Sequence, residues 1–373
     1  MTNSGLEGVV VADTQISDVD GERGRLVIAG SDVEQLAPVT SFEAAVGLVV
    51  AAGSGAPASA TITPAAIGAA RAAAWELVSR LGDALDHPDG MDALRTALGH
   101  LRTTGAAAGD AIAVIGAAPV FVAAWSRRRA GQPAIAPEPS RGHAADDLRM
   151  TTGRAPATDA VRALDAYLVT VIDHAMSAST FTARVIASTQ SDLISAVVGA
   201  VGALKGPLHG GAPGPALDMV FEIGSADRAE PVLREKLARG ERLMGFGHRV
   251  YRVRDPRADV LAEAAARFYK SGGSGGDIAL YELARSVEAT ALRLLREHKP
   301  DRPLDTNVEF YTALLLHGLG LPTELFTPLF AVGRVSGWVA HCLEQLAHGR
   351  LIRPQSEYVG ERDRRWVPLE ARG

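Results

Sequence analysis

Three short segments hold residues whose types and spacing can do chemistry. In Leu204-Lys205-Gly206-Pro207-Leu208-His209-Gly210-Gly211-Ala212 a long apolar run ends in Gly-Pro, and a histidine follows among glycines. Glycine permits tight backbone bends and close approach of a ligand. His209 can therefore present a ring N–H to a developing oxyanion; a capping loop with an incidental histidine would read the same way. In the segment Met244 to Arg257, His248 follows Gly-Phe-Gly, and Arg249, Arg252, Arg254 and Arg257 fall within nine residues. Guanidinium groups hold phosphates and carboxylates bidentately; the alternative is a solvated basic loop. In Asn307-Val308-Glu309-Phe310-Tyr311, Glu309 sits in an apolar helical pattern. There a carboxylate takes a raised pKa and can act as a base, unless it caps or salt-bridges. Arg334 interrupts the apolar stretch Leu325 to Val339, which argues for an anionic partner, and Arg350-Leu351-Ile352-Arg353-Pro354 follows.

Two histidines, an acid and several arginines converge on enolate chemistry at a thioester, with a dicarboxylate as second substrate. Other chemistries lack their residues. There is no GxxxxGK[ST], no HExxH and no paired CxxC, and Gly245-Phe246-Gly247-His248 lacks the third glycine of a dinucleotide fingerprint. His341 and His348, seven apart on one helix face with Glu344 between them, read as surface or core residues, and no metal is expected. The net charge of −5 and the absence of a long basic block argue against nucleic acid as a partner. One cysteine, Cys342, cannot form an internal disulfide; it reads as a small core residue in a reducing, cytoplasmic setting. The N-terminus MTNSGLEGVV has no basic region followed by an apolar run, so no signal peptide is expected. The uncharged stretch between Asp110 and Ser126 reads as a buried helix too short to span a bilayer.

The elements that must position these residues are mostly helical. The chain has 373 residues, 47% of them hydrophobic and 22% charged, and can hide a large core. Val9 to Val11, a turn at Asp18-Val19-Asp20-Gly21 and then Arg25 to Ile28 suggest a small N-terminal β-hairpin. After Ser31 alanine and leucine dominate. Helices are expected from Ser41, over Ala65 to Leu85, from Met91 to Leu101, over Ala157 to Ile172, and as one long helix from Ser177 to Leu204. Ala130 to Asp146 is a Pro/Gly-rich connector, and Ser271 to Gly276 a glycine–serine tip.

Taken in order, GPLHGGA, GFGHRVYRVRDPRA, NVEFY and FAVGRVSGWVAH with RLIRP resemble the signature blocks of the citrate synthase family. GLEGVVVADTQISDVDG, HPDGMDALR and DHAMSASTFTARVIAST extend the likeness over the whole chain. The resemblance implies an all-α, two-domain helical fold. A large domain would comprise residues 1–211 and 318–373, and a small domain, 212–317, would close over the substrates. It implies condensation of acetyl-CoA with oxaloacetate. The coenzyme A thioester is a co-substrate, and there is no tightly bound cofactor. Carried over, His209 would steady the acetyl-CoA enol, and His248 would polarise the keto carbonyl of oxaloacetate. Glu309 would be the base, and His174, Arg257, Arg334 and Arg353 would hold oxaloacetate. Arg252 would meet a coenzyme A phosphate. Arg353 would reach the partner's site in a homodimer.

The family's base is an aspartate in NVDFY, and here it is Glu309. An extra methylene moves a carboxylate by about an ångström, a displacement able to cost about a hundredfold in rate. A slower but working enzyme is expected, with Asp305, one turn earlier, the remote substitute. DHAMSAST and Ile28-Ala29-Gly30-Ser31 also depart from the family's pattern. They leave open propionyl-CoA as substrate, which would give 2-methylcitrate. A weakly active substrate-binding paralogue is the other alternative.

Overall fold

The computed structural model describes residues 5–6, 8–56, 62–210, 213–248, 250–271, 278–300 and 304–367. It opens on a three-stranded antiparallel sheet of Ser17–Asp20 (β1), Arg25–Ile28 (β2) and Ser31–Asp32 (β3), in the order β1-β2-β3. Ser17 pairs with Ile28 and Asp20 with Arg25. The expected hairpin is therefore shifted along the chain. Asp18 and Val19 lie in a strand rather than a turn, and Val9 to Val11 in no strand. The reason is local. Asp20 Oδ1 accepts the N–H groups of Glu22 (3.1 Å) and Arg23 (2.9 Å), which places the turn after Asp20.

Fifteen α-helices follow among the described residues. The first six are α1 (Val33–Leu36), α2 (Phe42–Ser54), α3 (Pro64–Val78), α4 (Gly90–Leu98), α5 (Ala107–Arg129) and α6 (His143–Thr152). Next come α7 (Thr158–Thr170), α8 (Ala178–Ser188), α9 (Leu193–Leu204), α10 (Pro213–Ile223) and α11 (Ala226–Ala238). The last are α12 (Pro256–Lys270), α13 (Ile278–His298), α14 (Val308–Gly318) and α15 (Phe326–His348). Entries are capped by side chains: Ser41 accepts from Ala44 N–H, Thr63 from Ala66 N–H ahead of Pro64, and Asp89 from Met91 N–H.

Two expected helices are broken. The 65–85 helix stops at Val78, and a 3₁₀ turn at Gly82–Asp86 follows. The 177–204 helix is two helices, because Gln190 takes φ +65° and Asp192 caps a new start by accepting from Ser195 N–H at 2.8 Å. Most of the glycine–serine tip, residues 272–276, lies outside the described residues. The uncharged stretch 110–126 sits inside α5, whose 23 residues are long and apolar enough to cross a membrane. That corrects the shorter span expected from the uncharged run alone. Of its most apolar stretch, 72% is buried in the protein, against α3, α4, α6, α9 and α15.

α15 is the centre of the core. It packs on α2, α5, α7, α8 and α9, and Trp338 is fully buried on it. Its small residues allow one close approach that matters for the site. A Cβ on Gly337 would lie 2.3 Å from the carbonyl oxygen of Ile172 and 2.5 Å from Asp173 Oδ1. The end of α7 therefore rests directly on α15. Helices α10 to α14 pack chiefly on one another, and α12 also lies against α7 and α1.

Candidate active site

The loop holding His248 is fastened to the segment that starts α14. Gly247 N–H donates to the Asp305 carbonyl at 2.7 Å, and Asn307 N–H to the Gly245 carbonyl at 3.0 Å. The Asn307 side-chain amide donates to the Gly247 carbonyl at 2.8 Å. Gly245 and Gly247 have φ of +87° and +82°, and Gly245 lies on Phe310. Asn307 also caps α14 through Glu309 N–H at 3.0 Å. One short ladder thus sets His248 and Glu309 relative to each other.

His248 Nδ1 accepts two backbone N–H groups, from Val250 at 3.0 Å and Tyr251 at 3.1 Å. Burial, helped by Arg257, pushes the ring down to about 4, so it is neutral at pH 7. Its one proton must then be on Nε2. Nε2 is 3.3 Å from Arg257 Nη2. Arg257 is itself 4% exposed and held bidentately by Asp255, at 3.0 Å and 2.8 Å.

His174 lies on the bend between α7 and α8. Neighbouring Asp173 is gripped through Oδ2 by the Ser17 hydroxyl and by His341 Nε2 at 3.2 Å. His174 Nε2 is 3.1 Å from the Tyr251 hydroxyl, and its ring is 5.8 Å from that of His248. Burial, with Arg257, Arg334, His248 and His209 adding to it, keeps His174 neutral.

Arg334 is 1% exposed. Its Nε donates to the Val171 carbonyl at 2.6 Å, and Phe330 lies 4.8 Å from its guanidinium. Nη2 has no hydrogen-bond partner among the described residues, and no carboxylate is hydrogen-bonded to the group. Burial pushes it down to about 10 against the pull of Asp173. A buried cation left so is costly unless an anion arrives.

His209 sits on the turn after α9 and faces the start of α8. Its Nε2 is 2.8 Å from Ser179 Oγ and 3.4 Å from Ser179 N–H. Trp338 Nε1 donates to the same Oγ at 3.1 Å, which turns the hydroxyl proton toward His209. Burial, with Arg334 behind it, pushes His209 down to about 4. The neutral ring therefore accepts at Nε2 and offers a proton at Nδ1. Glu309 is half-buried, and its carboxylate has no hydrogen bond among the described residues. Burial pushes it up to about 7, against Arg257, which lowers it.

The structure thus brings together His174, His209, His248, Arg257, Arg334 and Glu309. It leaves two predicted residues at the edge. Arg252 is exposed, 3.9 Å from Glu22. Arg353 is exposed on the segment after α15, which Ser188 Oγ tethers by accepting Ile352 N–H at 3.0 Å. Arg249, Gly211 and Ala212 lie outside the described residues. Arg254 is spent on Asp259 and Glu288. Asp305 lies 3.8 Å from Arg296 Nη2, with no place in this cluster. Sequence reasoning missed Ser179, Asp255 and Tyr251. Asp255 carried a signal, an acid directly before Pro256 at a helix start. Among the described residues no group of three His, Cys, Asp or Glu could hold a metal.

The sequence profile described as "Citrate synthase, C-terminal domain" matches residues 5–355. The citrate synthase of Haloferax volcanii is 36% identical, with 99% of this chain and 98% of that one covered. The crystal structure of citrate synthase from Pyrobaculum aerophilum is 34% identical, covers 99% of this chain and 95% of its own, and superposes with a TM-score of 0.85. The Thermoplasma acidophilum enzyme, in ternary complex with carboxymethyl coenzyme A and oxaloacetate, is 27% identical. Its TM-score is 0.83, with 99% of each chain covered.

Proposed function

The chain belongs to the citrate synthase family, and from that premise we propose that it joins the acetyl carbon of acetyl-CoA to the keto carbon of oxaloacetate, giving citrate and coenzyme A. One observation carries the reading onto this site. Arg334 is a buried guanidinium with no carboxylate hydrogen-bonded to it, in electrostatic contact with the neutral rings of His174 and His209. A dicarboxylate supplies the missing charge.

In this reading Glu309 takes a proton from the thioester methyl, and His209 donates its Nδ1 proton toward the carbonyl oxygen as the enolate charge develops there. A neutral imidazole donor is suited to this, and the start of α8 beneath Ser179 helps keep it neutral. The enol carbon attacks the keto carbon of oxaloacetate. His248 gives its Nε2 proton to the new alkoxide, and Arg257 and Arg334 hold the carboxylates. Water then cleaves the thioester, which releases coenzyme A as a thiol. Residues 212–317 form the small domain that closes over the site. Arg252 meets a coenzyme A phosphate. The partner subunit's Arg353 completes the oxaloacetate site in a homodimer, consistent with the exposed arm that carries Arg353 here.

Thiol release from acetyl-CoA, with and without oxaloacetate and repeated with propionyl-CoA, tests this. Release that depends on oxaloacetate and favours acetyl-CoA is the expected result. A preference for propionyl-CoA would make the product 2-methylcitrate. Oxaloacetate binding without release from either thioester would make the chain a binding paralogue, with Glu309 as the cause.

A further inference from the structure

We propose that Tyr251 is a positioning residue whose hydroxyl donates to Nε2 of His174, fixing that ring in the tautomer with its proton on Nδ1. The inference rests on the reading of His174 as a group that binds oxaloacetate.

Tyr251 is 3% exposed, and its ring is wedged between three groups of the site. Its centroid is 4.8 Å from the His248 ring and 5.6 Å from the His174 ring, with the Arg257 guanidinium 5.8 Å from it. The hydroxyl lies 3.1 Å from His174 Nε2, and no other hydrogen bond to the His174 ring is present among the described residues. A neutral imidazole carries one proton, and a phenol one. Either the phenol donates to Nε2, or Nε2–H donates to the phenol.

Two arguments select the first. A phenol is a far better acid than a neutral imidazole N–H, so phenol-to-imine is the stronger pair. Burial raises the phenol's pKa further, so the proton stays available on oxygen. The second is the ligand. If Nε2 held the proton, Nδ1 would turn a lone pair toward an anion that Arg257 and Arg334 draw in. The remaining nitrogen must donate.

Tyr251 already does the same for a second ring. Its backbone N–H is one of the two that occupy His248 Nδ1. One residue therefore sets the tautomers of two histidines, by its amide in one case and its hydroxyl in the other. The hydroxyl contact also joins segments 77 positions apart, the α7–α8 bend and the loop before α12.

The test is Tyr251→Phe in the full chain, which keeps the ring and removes one hydroxyl. The KM for oxaloacetate should rise about tenfold, with kcat and the KM for acetyl-CoA little changed and the thermal midpoint held. In ¹⁵N-histidine spectra of the ligand-free protein, His174 is assigned by the signals lost in His174→Gln. It should show an unprotonated Nε2 in the wild type and a mixture of tautomers in Tyr251→Phe. An unchanged KM for oxaloacetate overturns the proposal, and so does a wild-type ring protonated at Nε2. Absence of oxaloacetate-dependent thiol release in the wild type would instead sink the condensing activity. The ¹⁵N pattern would still decide the tautomer in that case.

Discussion

Two polar clusters in this protein use nearly the same ingredients. Each has an arginine no more than 1% exposed, a histidine that burial keeps neutral, and a carboxyl that burial pushes up to about 7. In the first these are Arg71 on α3 and His143 and Asp147 on α6. In the second they are Arg334, His174 and Glu309. The difference is where the arginine's charge is met. Arg71 Nε donates to Asp146 at 3.0 Å, and its Nη2 to the Arg141 carbonyl at 2.6 Å. Asp146 also accepts from Glu138 N–H and Arg149. Arg334 has one backbone carbonyl and no carboxylate hydrogen-bonded to it. A buried charge met inside the fold is architecture. One left unmet is stored affinity for a ligand.

The strongest way to break this comparison is to remove each arginine in turn. Arg334→Leu should lower oxaloacetate-dependent turnover on the order of a thousandfold, because about 3–5 kcal/mol attends loss of one partner of a buried pair. Its thermal midpoint should fall less than that of Arg71→Leu, since no hydrogen-bonded carboxylate loses its partner. Arg71→Leu should do the reverse. It strands Asp146 and destabilises the fold by about 3–5 kcal/mol in urea titrations, while the folded fraction keeps its kcat/KM. A swapped pattern would sink the distinction.

Ligand linkage sharpens it. Oxaloacetate at about 100 times its Kd should stabilise the wild type by about 2.7 kcal/mol, and Arg334→Leu not at all, as read by thermal shift.

The two raised carboxyls separate in the same way. Only ionised Glu309 can take the methyl proton, so kcat/KM for acetyl-CoA should climb about tenfold per unit below pH 7 and level off above it. Glu309→Asp should raise the rate, by about tenfold or more if the longer acid is displaced; no gain means the longer acid is no handicap. Asp147 should act on stability alone. Its folded pKa lies above its unfolded value, so its stabilising contribution is complete below pH ~4 and is lost as pH rises through about 7. Asp147→Asn should flatten that loss in denaturation curves and leave the rate profile unchanged.

The contrast between these clusters also marks what the sequence could reveal. His209, His248, Glu309 and Arg334 stand in short motifs whose glycines and apolar neighbours announce them. Their partners do not. Ser179 reaches His209 from α8, Trp338 on α15 orients the Ser179 hydroxyl, and Tyr251 reaches His174 across 77 positions. Such contacts exist only once helices have packed. The Arg71 cluster was invisible for the same reason, since Arg71 in an alanine-rich helix looks like a surface residue. Helix content was legible from composition, but the break at Gln190 was not. A non-glycine residue at φ +65° is chosen by tertiary packing rather than local propensity. The sheet's register slipped because Asp18 and Asp20 both look like turn residues, and only the side chain of Asp20 folds back onto the N–H groups that follow.

The apolar helix α5 has a consequence for how the chain is made. It is finished at Arg129, and α15, which covers one side of it, begins at Phe326, about two hundred residues later. At about 5–20 residues per second that is a delay of about 10–40 s. Throughout it the nascent chain displays a segment long and apolar enough to cross a membrane. α3 and α4 are already synthesised and pack on α5. Their docking at the ribosome decides whether that segment is sheltered or diverted, so lesions on the α3–α5 contact should lower yield in cells more than they lower stability in the purified protein.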